Sequence, residues 1–326
     1  MINEIKRAVS LYSYQEEYFL KKMSLEDCIA ATAKTGATGI EILGEQSVVG
    51  FPKLTDAFVG QWFEWMDKYG VTPVCHDMFL DYNKKKGHYY TDDEAVQSFK
   101  RDIDFAKKLG FKVIRVIVNA TPQIMEKVIP YAEDADIKLG IEVHAPWHIN
   151  SVWMYRHWEV MERTGTKHFG FIPDMGGFTQ RLPRIVVERM IRQGADPKIA
   201  EFVCAQHEKG VMAEYTIYEV SRMSNRRIDM AVAELSRHNT MVNPISLLQH
   251  IPRIVHIHGK FYEMLDDYTE YSIPYKEIIE VLNKGGYDGY IASEYEGNRH
   301  IQDIYEVDSS EQVRRHQQMM VKYGIK

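Results

Sequence analysis

Cysteine is scarce in this chain: Cys28, Cys75 and Cys204 are the three in 326 residues, and no two form a CxxC pair. An odd, scattered set excludes a disulfide framework and points to a reducing compartment. Positive charge is also short, with 40 Lys and Arg against 46 Asp and Glu, a formal charge of −6. No basic field is available to follow a phosphate backbone, so nucleic acid is not an expected partner. Long apolar runs are missing, and charges interrupt every apolar stretch of the N-terminus MINEIKRAVSLYSYQEEYFL. Nothing approaches the roughly 18 residues of a membrane span, so a soluble, cytoplasmic protein without a membrane partner is expected. The glycine motifs GxGxxG and GxxxxGK[ST] are absent, which argues against nucleotide binding, and no GxSxG nucleophile elbow is present.

What remains is ordinary globular material, 45% hydrophobic and 26% charged. Its length suits one large α/β barrel with insertions as well as two ordinary domains. Eight short β-branched or apolar runs alternate with helical periodicity: Ala8–Tyr12, Thr38–Leu43, Val71–His76, Lys112–Asn119, Lys138–His144, His168–Pro173, Arg253–His258 and Tyr290–Glu294. Ser24 with Asp27, and Thr91 with Glu94, read as helix starts; Gly36, Gly70 and Gly110 read as helix ends. The expected fold is a (β/α)8 TIM barrel, one domain over residues 1–326. The long interval between strands six and seven is expected to carry a helical insertion at about 193–248.

Active sites of such barrels lie at the carboxyl ends of the strands. Strand five ends in Glu142, strand six in Asp174, strand seven in His258 and strand eight in Glu294. Three carboxylates and one imidazole, converging from consecutive strands, are a ligand set for one divalent cation. The mostly oxygen donors suit Mn²⁺ and also accept Mg²⁺ or Co²⁺. Taken singly, each residue reads equally well as a polar strand end tied to a loop. His256 shares the parity of His258 and is either a support behind the ligands or a core histidine. His144, two residues beyond Glu142 on the same face, is a candidate base, since an imidazole titrates near about 6.5. The competing reading has it merely bonding a backbone carbonyl. Glu41 and His76, ending strands two and three, either bind sugar hydroxyls or satisfy loop amides. Glu296 and Arg299 flank strand eight and form a possible pair.

Gly39-Ile40-Glu41, Gly140-Ile141-Glu142, Pro173-Asp174, His258-Gly259-Lys260 and Ser293-Glu294 together resemble the xylose isomerase-like barrel superfamily of sugar isomerases, epimerases and inosose dehydratases. The resemblance implies a metal on Glu142, Asp174, His258 and Glu294, with Lys260 and Glu296 near the substrate. Keto-sugar 3-epimerases of this superfamily place a histidine three residues after the aspartate, where this chain has Gly177. The stretches Glu142-Val143-His144-Ala145-Pro146-Trp147-His148 and Asp174-Met175-Gly176-Gly177-Phe178 are more similar to the catalytic α subunit of bacterial C-glycoside deglycosidases. That likeness implies a small β subunit in a hetero-oligomer and a 3-oxo-C-glucoside substrate with a flavonoid-type aglycone. It also implies a lyase reaction, in which C2 is deprotonated and the aglycone leaves C1. The alternative is a metal-dependent keto-sugar isomerase, epimerase or inosose dehydratase.

Overall fold

The computed structural model describes residues 4–325. Among them, eight strands lie in one sheet: β1 (Lys6–Ser10), β2 (Gly39–Leu43), β3 (Thr72–Met78), β4 (Val113–Val116), β5 (Lys138–Val143), β6 (Phe169–Pro173), β7 (Ile257–Phe261) and β8 (Tyr290–Tyr295). Every pairing is parallel, in the order β6-β5-β4-β3-β2-β1-β8-β7. The two edges meet through the bridges Phe171–Ile254 and Asp174–His258, which brings the sheet nearly to a closed barrel. Gly170 permits that approach, because a Cβ there would run into the Arg253 carbonyl.

The helices that return the chain between strands begin and end where their local chemistry dictates. Ser24 accepts the Asp27 N–H while the Asp27 carboxylate accepts the Ser24 N–H, and Thr91 with Glu94 repeats this reciprocal box. Each such cap contributes about 0.5–2 kcal/mol. Gly70 and Gly110, with φ of 64° and 82°, end the helices Asp56–Tyr69 and Asp92–Leu109 in the left-handed region. Their apolar faces bury Trp62, Phe99, Phe105 and Leu109, and the Trp62 indole N–H donates to the Leu109 carbonyl. Truncating one such aromatic to alanine costs about 3–5 kcal/mol.

Three strands are shortened or displaced from their expected limits in ways with a plain local cause. β1 stops at Ser10, because Leu11–Tyr14 turns into a 3₁₀ segment. β4 keeps only Val113–Val116, the Ala120 N–H turning back to the Ile117 carbonyl. β7 begins at Ile257 and not at Arg253, because Pro244–Arg253 winds in 3₁₀ turns that include Pro252. Proline offers no N–H to a strand ladder, so the chain extends only beyond it. Between β6 and β7 the helices Arg184–Arg192, Pro197–Glu208, Ala213–Met223 and Arg227–His238 pack on each other around Val187, Val203, Val220 and Val232.

Candidate active site

Residues paired across parallel strands face the same side of the sheet, so the register identifies the side chains that fill the barrel. The rungs Asp77–Arg115, Glu142–Ile172, Asp174–His258 and Lys260–Glu294 stack toward the carboxyl ends of the strands. His256, just before β7, and His258 and Lys260 within it occupy alternate positions, and their side chains meet Glu41, Glu142 and Asp174 inside the barrel.

His258 is fully buried at the centre. Its Nδ1 lies 3.0 Å from Glu142 Oε1 and 3.6 Å from Glu294 Oε2, while Nε2 lies 3.4 Å from Glu41 Oε2 and 3.8 Å from Asp77 Oδ1. Burial disfavours its charge, yet Glu41 and Glu294 raise its pKa well above the ordinary imidazole value. Burial also opposes charge on Glu142, but Arg115 and His258 hold that carboxyl well below the usual range. At Glu294 burial outweighs the nearby His258 and Lys260, and with Asp174 and Glu296 alongside the carboxyl is pushed up to about 8. Burial likewise pushes Asp77 up to about 7, despite the Arg115 Nε donating to it at 3.2 Å.

Toward the mouth, buried Lys260 Nζ donates to Asp174 Oδ2 at 2.7 Å and to His144 Nε2 at 2.9 Å, and stands 3.7 Å from Glu296 Oε1. Burial disfavours the ammonium, but Asp174 and Glu296 hold its pKa well above the ordinary lysine value. The other Asp174 oxygen accepts the Gly176 N–H at 2.7 Å. A Cβ on residue 176 would stand 2.9 Å from the Lys260 chain and 3.0 Å from that oxygen, so glycine lets the lysine reach the aspartate. His144 donates Nδ1–H to the Ala145 carbonyl at 2.7 Å, and its side chain is 42% exposed. With Nδ1 committed, Nε2 carries the lone pair and faces the cavity side of Lys260.

The donor set fits a divalent cation. Ligand atoms of Glu142, Asp174 and His258 lie within 4.8 Å of one another, all buried. Glu294 Oε2 and both His258 nitrogens have no hydrogen-bond partner among the described residues. Six carboxylates, Glu41, Asp77, Glu142, Asp174, Glu294 and Glu296, crowd around two permanent cations, Arg115 and Lys260. Crowded buried carboxylates are costly unless neutralised, and here Asp77, Glu294 and His258 all shift toward holding a proton. A divalent ion answers that excess.

Two of the residues expected at the substrate are elsewhere. His76 points out of the barrel, where Nε2 meets Asp102 Oδ1 at 2.9 Å amid Phe51, Phe105 and Phe111. The strand does not end at His76 but runs to Met78, and Asp77 takes the inward parity instead. Glu41 faces inward but is fully buried, accepting the His256 Nε2–H at 2.7 Å. Lys260 and Glu296 do lie at the mouth, and Glu296 is 3.9 Å from Arg299, whose guanidinium donates to the Tyr12 hydroxyl. Asp77 and Arg115 are additions that strand-end reasoning missed. The available signal was a lone arginine inside the apolar run Val113-Ile114-Arg115-Val116.

Eight parallel strands around such a polar interior are those of an α/β barrel, and residues 29–323 match the xylose isomerase-like TIM barrel family, to which the chain belongs. It is 31% identical over 310 residues to the 3'-dehydrocarminate deglycosidase alpha subunit of a Microbacterium species, covering 89% of this chain and 87% of that protein. It is 28% identical over 323 residues to a C-glycoside deglycosidase alpha subunit of Arthrobacter globiformis, covering 97% and 91%. The solved structure of an L-ribulose 3-epimerase superposes with a TM-score of 0.58 at 12% identity, covering 98% of this chain and 94% of that one, a likeness of fold alone. Among the described residues no helix is long and apolar enough to cross a membrane.

Proposed function

We propose that this chain is a carbon–carbon lyase that cleaves the C-glycosidic bond of 3-oxo-C-glucosides, with a divalent cation, Mn²⁺ by its donor set, held by Glu142, Asp174, His258 and Glu294. The observation that carries this reading is His144: exposed at the mouth, tautomer set by Ala145, and Nε2 turned to the polar cluster. A carbon leaving group has no glycosidic oxygen to protonate, so the paired-carboxylate route of ordinary glycosidases does not apply. When bound, the cation would supply Lewis acidity that stabilises negative charge developing on the sugar.

The chain's own groups account for the proton and the sugar. His144 Nε2 takes the C2 proton, made acidic by the C3 carbonyl. The electron pair, first delocalised as the C2–C3 enolate, forms C1=C2 as the C1–aglycone bond breaks with its electrons going to the aglycone carbon, which takes up the proton that His144 removed, directly or through water. Atoms and charge balance without an oxidant, giving an unsaturated keto-sugar and the free aglycone. Lys260 and Glu296 bind sugar oxygens, the lysine exchanging its contact with His144 for one with substrate. The alpha-subunit names of the relatives support a small β subunit as partner, and a hetero-oligomer as the working form.

The test is substrate choice. Purified protein, alone and with its co-purifying small subunit, is offered a 3-oxo-C-glucoside, a free ketohexose and a keto-inositol. Release of aglycone from the first is expected. Turnover of only the free sugars would establish an isomerase, epimerase or dehydratase, which shares the C2-type deprotonation and differs in the fate of the resulting enolate.

A further inference from the structure

We propose that Glu41 is a positioning residue of the cation site, whose carboxylate charge, 3.4 Å from Nε2 of His258, keeps the imidazole proton on that nitrogen so that Nδ1 turns its lone pair to the cation position beside Glu142 and Glu294. This rests on the reading of Glu142, Asp174, His258 and Glu294 as ligands. It assigns a role to a buried carboxylate that has no route to a sugar.

The two nitrogens of His258 face two different groups of oxygens. Nδ1 faces Glu142 and Glu294, whereas Nε2 faces Glu41 at 3.4 Å and Asp77 at 3.8 Å. A neutral imidazole carries one proton. Placing it on Nδ1 would aim an N–H at the ligand position and leave the Nε2 lone pair against two carboxylates. Placing it on Nε2 gives Glu41 a donor and leaves Nδ1 able to bind. Asp77 is the poorer acceptor, being farther away and bonded to Arg115.

Glu41 is itself held. His256 Nε2 stands 2.7 Å from Glu41 Oε2, and His256 Nδ1 has no partner among the described residues, so its single N–H is committed to the glutamate. His256 and His258 share strand parity, their rings 6.1 Å apart and at 89° to each other. One oxygen thus sits between two imidazoles, and the order His256, Glu41, His258 runs from the barrel floor toward the ligands. Partners behind a metal-binding histidine set both its tautomer and its ring orientation.

The experiment is a Mn²⁺ titration of the whole protein, read by the electron paramagnetic resonance of the free aqueous ion. Glu41→Gln keeps the shape and can keep an oxygen between the two imidazoles, but it removes the negative charge that draws the proton to Nε2 of His258. Mn²⁺ binding should weaken by about 10–100-fold, the range for loss of such a partner, with the thermal midpoint nearly unchanged. His256→Gln should weaken it less. In a Zn²⁺-loaded sample, long-range ¹H–¹⁵N spectra should show His258 protonated at Nε2 in the wild type. Unchanged Mn²⁺ affinity in Glu41→Gln, or a wild-type His258 protonated at Nδ1, would overturn the proposal. Should Glu41→Gln not fold, the wild-type tautomer and His256→Gln decide. A wild type that binds no Mn²⁺ overturns the ligand reading itself, an outcome distinct from these.

Discussion

The floor and the mouth of this barrel use the same residue types under different conditions. On the floor, Glu41, Asp77, His256 and His258 are shielded from solvent, and each faces a charged or hydrogen-bonding neighbour. At the mouth, His144 is 42% exposed and Glu296 22%, with Lys260 between them. A carboxylate or imidazole without solvent must be matched by its neighbours, and the match also holds it still. A half-exposed imidazole can meet a substrate. On the proposed reading the floor supplies geometry, and the mouth supplies the group that moves a proton.

The strongest way to test that division is to remove what the floor is built to hold. Chelation should take turnover to background, and Mn²⁺ should restore it, because carboxylates and a neutral imidazole bind metal only when fitted together. Activity that survives complete chelation, checked by elemental analysis, would break the comparison. Next in size is the mouth: His144→Ala should cost about 10²–10⁴-fold in turnover while metal content stays at the wild-type level. Solvent deuterium should then no longer enter C2 of a 3-oxo-glucoside. Retained exchange with blocked elimination would shift the base role to Glu296.

The floor also makes a stability prediction. Arg115→Met leaves Asp77 and Glu142 without their buried cation, and breaking a pair of this kind costs about 3–5 kcal/mol. Urea unfolding measures it; a loss under about 1 kcal/mol, the surface-pair range, would show the floor to be hydrated.

The smallest effect serves as a control outside the barrel interior. Buried His316, stacked on Phe261 at 4.2 Å, is pushed down to about 3 by burial. The unfolded chain takes up a proton near pH 6.5 and the folded one does not, so this contribution is present above pH 6.5 and is lost as pH falls. The loss is about 1.4 kcal/mol per pH unit, roughly 2 kcal/mol between pH 6.5 and 5. His316→Gln should narrow its stability gap to wild type by that amount over the same interval. Parallel curves for the two proteins would contradict the burial argument.

The legibility of the site in the sequence depends on where strands end. Glu142, Asp174 and Glu294 come together because each stands at or beside a true strand end with inward parity, whereas His258 joins them from near the start of β7, which runs on to Phe261. His76 does not join them because β3 runs two residues farther than its apolar pattern, which reverses nothing in the strand but moves its end to Met78. Arg115 is hidden from strand-end reasoning because the apolar pattern of strand four extends to Asn119, whereas β4 itself stops one residue beyond the arginine. A register shift at Ile40 and Glu41 in the pairing of β2 with β3 is equally invisible in one sequence.

By itself the sequence determined the barrel, the helix caps and the four strand-end ligand candidates, because periodicity and capping are local properties of a few residues. Only the tertiary structure decided that Glu41 stands beside His258, that Arg115 faces both Asp77 and Glu142, and that Lys260 bridges Asp174 and His144. Those pairings join residues from different strands, and their partners are chosen by register and closure of the sheet, which no single segment encodes.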